Sequence, residues 1–313
     1  MDERVLEKLI TASKTQLKET HISWILIDEE VYKIKKPLKF SFLDFTTLEK
    51  RKFFCDEEVR LNRRLAPDVY LGVSEITDEP AIDGKGKIIE YAVKMKKLND
   101  RMDELLIINK IDEEGIKKIA KIIADFHGKT EIVEGEYGSP KIIAEQINDL
   151  DNFKSAIDES AGLGMEVEFI LVECAKFIEN NKEKIEKRKK DGKVKDCHGD
   201  LHSGNIFFDK NEIKIIDCIE FNKDFRCIDM ANDIAFLAMD LDAFGREDLS
   251  KIFVDEYIRL TGDKEISTLL NLFKCYRANV RAKIAAIEWI QNKNEDSKKR
   301  ITKYINLASS YMK

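Results

Sequence analysis

The chain has 313 residues, 43% hydrophobic and 36% charged, which is enough for one large domain or two lobes with cores of their own and excludes a disordered chain. A formal charge of −6 gives no electrostatic reason for nucleic acid or an anionic membrane as partner. The opening "MDERVLEKLI" lacks the basic and apolar regions of a signal peptide, and no apolar run reaches transmembrane length. The six cysteines (Cys55, Cys174, Cys197, Cys218, Cys227 and Cys275) form no CxxC pair, so free thiols in a reducing cytoplasm are expected.

In chain order, residues 3–18 read as a polar helix. Two β-prone runs, "ISWILID" (22–28) and "VYKIKK" (31–36), follow as a hairpin turning at "DEE". A charged helix runs from Thr47 to Leu65 and is stopped by Pro67, and "YLGVSEIT" and "KIIEYAVKMKKL" read as strands around the turn "DGKG" (83–86). After Leu98 the pattern becomes helical: Asp103–Ile108, 113–130, a long stretch over 165–190, and most of the last ninety residues, including 269–291. The exception is "NIFFDKNEIKIIDC" (205–218), a strand, a turn and a strand. An α+β architecture is expected, with a β-rich N-lobe over 1–97 and a helical C-lobe over 98–313. The charge-dense stretch from Lys182 to Lys195 interleaves Glu183 and Glu186 and reads as a solvated helix end rather than a nucleic-acid patch.

The chemistry concentrates in "CHGDLHSGNIFF" (197–208), which holds two of the four histidines around an acid. Two phosphate-loop look-alikes fall away: "GKT" (128–130) has Ile123 where a Walker motif needs its first glycine, and "GKG" (84–86) sits in a hairpin turn. A zinc site from Cys197, His198, His202 and Cys218 matches no common spacing. A binuclear phosphoesterase would need more histidines than His21 and His127 can add. What remains is Asp200 with Asn205 five residues on, then Asp217 after the apolar run "IKII". In a kinase-type loop the first Asp orients or deprotonates an acceptor hydroxyl, the Asn ligates magnesium, and the second Asp binds the metal on the nucleotide phosphates. The intervening hairpin brings Asn205 and Asp217 to one end.

"HGDLHSGN" (198–205), "IIDCIEF" (215–221), "IDMANDIAFL" (228–237) and "IAKIIADFHG" (119–128) resemble the aminoglycoside phosphotransferase family. The stretch from Thr20 to Val73 is similar to an uncharacterised subgroup in which some members carry an added P-loop kinase domain, and none is expected here. The resemblance covers nearly the full chain. It implies a protein-kinase-like fold and ATP- and Mg²⁺-dependent transfer of the γ-phosphate to a hydroxyl of a small molecule. A nucleotide-binding pseudoenzyme with a regulatory role is the first alternative, because "ETHISW" (19–24) stands where a glycine-rich loop is expected. A protein kinase is the second, disfavoured by His202, which stands where protein kinases carry Lys.

The family pattern further implies a nucleotide-binding lysine on a small-lobe strand paired with a helix glutamate. Lys33 and Lys35 share a strand face. Lys33 has apolar Val31 two residues before it, whereas Lys35 would put the Lys33 charge against adenine, so Lys33 is expected in the role. Glu58 shares a helical face with Phe54, Leu61 and Leu65 and is expected inward, with Glu57 turned aside. Met95 is expected where the chain crosses between lobes, with Lys96 and Lys97 offering backbone hydrogen bonds to adenine. His198, His202 and Asp233 are expected to support the loop. Acceptor walls are expected from 135–165 and the C-terminal helices, which carry Asp149, Asp151, Asp240, Asp242, Arg277 and Arg281. With no strongly acidic rim to meet a polycation, a neutral or anionic hydroxylated metabolite is expected in preference to an aminoglycoside. The sequence does not set the oligomeric state.

Overall fold

The computed structural model describes residues 6–7, 9–10, 15–40, 42–79, 81–210 and 212–313. It divides into two compact units, Met1–Arg101 with Asn205–Phe225, and Met102–Gly204 with Arg226–Lys313. The hairpin expected among the helices therefore groups with the sheet, as do residues 98–101. The reason is in the backbone: Phe208 N–H donates to Asp100 O at 3.0 Å, and Arg101 bridges Phe207.

The first unit is built on an antiparallel sheet ordered β1-β2-β3-β7-β6, from Gln16–Glu19 (β1), Ser23–Ile27 (β2), Glu30–Lys35 (β3), Tyr70–Thr77 (β6) and Ile88–Lys96 (β7). Lys39–Phe40 (β4) and Leu43–Asp44 (β5) form a separate short pair. Alternation along the strands supplies two apolar faces. Leu26, Ile34, Ile76 and Ala92 pack on one. Val93, Met95 and Tyr70 pack on the other, with Cys55 and Val59 of helix α1 (Leu48–Asn62). The side chain of Thr47 caps α1 by accepting from Lys50 N–H.

Two departures from the sequence reading have physical causes. Gln16–Glu19 is a strand, not the end of a helix; all four of its residues are exposed, so backbone pairing to Trp24–Ile27 determines it and no side-chain period reports it. Helix α1 ends at Asn62, where backbone bonds from Arg64 and Leu65 tighten into turns.

The second unit is helical: α2 (Met102–Ile107), α3 (Glu113–Lys129), α4 (Pro140–Asn148), α5 (Lys154–Ala161), α6 (Gly164–Asn180), α7 (Lys182–Lys190), α8 (Met230–Ala243), α9 (Glu247–Thr261), α10 (Ile266–Asn292) and α11 (Glu295–Tyr311). Val194–Asp196 (β8) pairs with Cys227–Asp229 (β11). The remaining strands, Ile206–Asp209 (β9) and Glu212–Ile215 (β10), are the hairpin of the first unit. Helix α8 is buried at every position from Met230 to Leu241, as a helix that is mostly apolar all round must be. The long helix expected over 165–190 is broken at Asn181, whose side chain bonds back to Phe177 O at 2.9 Å. Among the described residues no helix is long and apolar enough to cross a membrane. All six cysteines are buried free thiols.

Candidate active site

In the sheet unit, β3 turns Lys33 and Lys35 to the same side, and Glu58, fully buried on α1, receives both. Lys33 Nζ lies 3.0 Å from Glu58 Oε1, and Lys35 Nζ lies 2.7 Å from Oε2. The sequence posed these lysines as alternatives. The structure uses both, because residues two apart on a strand can straddle one carboxylate.

Their second partners separate them. Lys33 reaches Asp217 Oδ1 at 2.5 Å, whereas Lys35 bonds to buried Glu220 and lies over the Phe45 ring. Burial opposes charge on Glu58, yet the two ammonium groups outweigh it and lower its carboxyl to about 2. Glu220 goes the other way: burial is its largest influence and raises it. Burial also opposes both lysines, and the surrounding carboxylates still raise them. Glu57, as expected, turns aside and pairs with Arg60 on the surface.

The open end of the hairpin lies in the same unit. Ile216 N–H donates to Asn205 O at 3.0 Å, closing the ladder where Asn205 enters β9 and Asp217 leaves β10. Asp217 sits at φ 69°, a left-handed conformation that Asp tolerates better than most residues. Tyr70 Oη accepts from its N–H at 3.1 Å, and Asn62 Oδ1 accepts from Cys218 N–H at 2.8 Å. The strained turn is thereby tied to α1 and the sheet. The Asp217 side chain is 40% exposed and gives Lys33 only one oxygen, so its second oxygen is open to a cation. Carboxylate and amide oxygens suit a hard ion such as Mg²⁺.

Met95 is buried in β7, paired with Val31 and Tyr70. Lys96 N–H already donates to Val69 O at 2.9 Å, so it is not a free donor for a base. The Lys97 backbone makes no backbone hydrogen bond among the described residues.

In the helical unit the loop 198–204 is held from behind. Asp233, in the first turn of α8, accepts from His198 N–H at 3.1 Å and from Gly199 N–H at 2.8 Å, and its carboxylate lies 3.0 Å from His127 Nε2. Burial opposes its charge, but these partners lower it to about 2. Gly199 has φ 85°, which favours glycine at this step. His198 is buried, and its Nδ1 accepts from Asp200 N–H at 3.2 Å. His202 accepts from Gly204 N–H through Nδ1 and sets Nε2 3.5 Å from Asp200 Oδ2. Gly204 is needed there, since a Cβ would come within 2.8 Å of the His202 ring. Asp200 itself stays partly exposed. Desolvation would raise its carboxyl, but the His202 and His198 rings and the Arg281 guanidinium bring it below the usual carboxylate range.

Several supports went unread in the sequence. Arg277, expected in an acceptor wall, is buried behind the loop and donates to Gly199 O at 2.9 Å and Asn232 O at 3.2 Å. His127 is fixed by Tyr257 Oη at 2.7 Å. Arg188 forks onto Asp229 and Asp263, anchoring the N-cap of α8. None of these has a local spacing signal, because each partner lies far away in the chain. His127, Cys197 and Asp233 cluster closely enough to hold a metal, but His127 and Asp233 are already used as described and Cys197 Sγ is 3.5 Å from Ile228 O.

Residues 176–267 match the phosphotransferase enzyme family model. An uncharacterized protein of Mycobacterium tuberculosis (strain ATCC 25618 / H37Rv) is 30% identical over 289 residues, which are 89% of this chain and 56% of that protein. The chain thus spans little more than half the length of that relative. Among solved structures, choline kinase from Cryptosporidium parvum Iowa II aligns at TM-score 0.54 and 12% identity over 98% of this chain and 95% of that one. Aminoglycoside phosphotransferase APH(4)-Ia aligns at TM-score 0.56 and 12% identity, over 98% of this chain and 99% of that one. At such identity the likeness shows a shared α+β, kinase-like fold.

Proposed function

We propose that the protein transfers the γ-phosphate of ATP to a hydroxyl of a small molecule. One observation carries the reading: Lys33 Nζ sits between the buried Glu58 and the exposed Asp217, the lysine, helix acid and post-hairpin acid that phosphoryl transfer uses to grip a nucleotide. Lys33 binds the α- and β-phosphates, and Glu58 holds it in place. Met95 backs the base, and Lys97 offers it backbone groups. Asn205 and Asp217 would hold Mg²⁺, which when bound neutralises charge on the phosphates. Asp200 accepts the proton of the acceptor hydroxyl as its oxygen bonds to the γ-phosphorus and the bond to the β-phosphate oxygen breaks, releasing ADP. A carboxyl held below its usual range stays ionised to orient the hydroxyl, and His198, His202 and Asp233 position the loop that carries it. Six buried free thiols fit a reducing cytoplasm. That a thermostable mutant of APH(4)-Ia has been solved with AMP-PNP and hygromycin B supports nucleotide use in this fold.

The test is Asp200→Asn. Turnover of ATP with a mixed hydroxylated metabolite pool falls roughly 10²–10⁴-fold, the scale of a general base, while ATP affinity is unchanged. Equal turnover in wild type and variant would remove Asp200 from the reaction.

A further inference from the structure

Helix α10 presents basic residues at i, i+4 spacing, which places them on one face. Arg277 is used up in bracing the loop at Gly199 O. Arg281, one turn on, packs its guanidinium 5.6 Å from the centre of the Tyr304 ring on α11. Lys303 brings its ammonium to the same ring at 5.5 Å and to Phe244 at 5.3 Å. Two cations from different helices thus converge on one aromatic ring in the unit that holds Asp200.

What they lack is an ion-pair partner in contact, although the charge of Asp240 and, for Arg281, that of Asp200 already favour them. Neighbouring cations of these helices are paired: Lys274 with Asp242, Lys283 with Asp149, Arg300 with Glu288. Arg281 and Lys303 form no ion pair among the described residues. Asp240, whose charge both of them feel, is 2% exposed and gives one carboxylate oxygen to Ser203 N–H at 2.9 Å and Ser203 Oγ at 2.5 Å. Arg300 and Lys303 are both held below their ordinary values, by burial first and with the Arg281 charge adding to it. Arg281 is half-buried and Lys303 exposed, so neither cation is sealed from a soluble anion while its stem lies along the Tyr304 ring.

We infer that the acceptor is a hydroxy acid, its carboxylate held by Arg281 and Lys303 while its hydroxyl meets Asp200. This rests on the phosphotransferase reading and narrows the substrate class within it. The guanidinium supplies a planar pair of donors that match a carboxylate, and the ammonium adds a point charge.

The experiment uses matched pairs: gluconate and glucitol, galacturonate and galactose, glycerate and glycerol, with ethanolamine and kanamycin as cationic members. ADP release is followed with ATP and Mg²⁺, and binding of the same compounds to the full chain is followed by calorimetry at constant ionic strength. At least one acid is expected to bind saturably and to be turned over at least about tenfold better than its neutral partner. Arg281→Gln and Lys303→Gln each raise its KM and Kd roughly 10- to 100-fold, the loss of one charged hydrogen bond. Exposed Arg259→Gln serves as the control and changes neither value. Efficient transfer to the neutral or cationic members without preference for acids would sink the inference and leave the kinase reading standing. Saturable acid binding that both variants abolish, with no ADP released from any compound, would uphold the anion site and overturn the kinase reading. No saturable binding of any acid, or binding that the variants leave intact, would overturn the inference.

Discussion

Lys35 is fully buried, yet it carries a charge shared by Glu58 and Glu220. Removing it leaves two acids in a dry site, and breaking a buried pair in this way costs about 3–5 kcal/mol. Lys33 is slightly exposed, and one of its partners, Asp217, faces solvent. Lys33→Met should therefore lose most of its phosphoryl-transfer rate while melting near wild type. Lys35→Met should lose stability first, seen as an earlier midpoint in urea. Equal melting midpoints with equal rates would show that the two lysines are interchangeable and that the division drawn here is wrong. Sequence reasoning picked out Lys33 and Glu58, but it framed the lysines as a choice. Only the register Lys33↔Val93 and Ile34↔Ala92, with α1 above it, shows that one glutamate serves both.

At the scale of elements, β2, β3, β6, β7, the hairpin 206–215 and the helix within 269–291 were legible because each carries a period in its own residues, whereas the short pairs β4–β5 and β8–β11 and the break at Asn181 carry none. β1 was not, since its four residues are all exposed and it is fixed by β2 alone. The bracing of the loop was half legible. Asp233 stands out as an acid in an otherwise buried helix, whereas Arg277 looks like any helical arginine until its contact with Gly199 O is seen. The bracing makes its own prediction. Asp233 accepts two loop N–H groups from 0% exposure. Asp233→Ala leaves those donors unsatisfied at about 1–3 kcal/mol each. Stability should fall by at least about 2 kcal/mol in denaturant titration, and hydrogen exchange at His198 and Gly199 should speed up. Unchanged exchange at those two amides would mean that the loop is held by something else.

For the whole molecule, the carboxylates most shifted by burial and by buried partners are Glu58 and Glu220 in one unit and Asp233 in the other, so acidity should act on stability through these few groups rather than through the net charge. Glu58 and Asp233 are each lowered to about 2 from ordinary values of 4.5 and 3.8. A carboxyl whose folded value is depressed contributes stability that is complete above its unfolded value and disappears as pH falls toward the folded one. The window for both therefore runs from about pH 5 down to about pH 2. Glu220 has the opposite sign: burial raises it, so its charge costs stability above its folded value, and that cost is relieved as the group takes up a proton in acid. Glu58→Gln and Glu220→Gln remove one charge each from the same cluster with little change in shape, yet they should behave differently. Glu58→Gln should lose stability at pH 7 and flatten the acid limb of the stability curve between pH 5 and 2. Glu220→Gln should be near neutral at pH 7, since the charge it removes was unfavourable, and should leave that limb at least as steep as in wild type. Urea midpoints measured from pH 2 to 8 decide between them. A steep acid limb surviving in Glu58→Gln, with a flattened one in Glu220→Gln, would show that the cluster's charge is distributed the other way round.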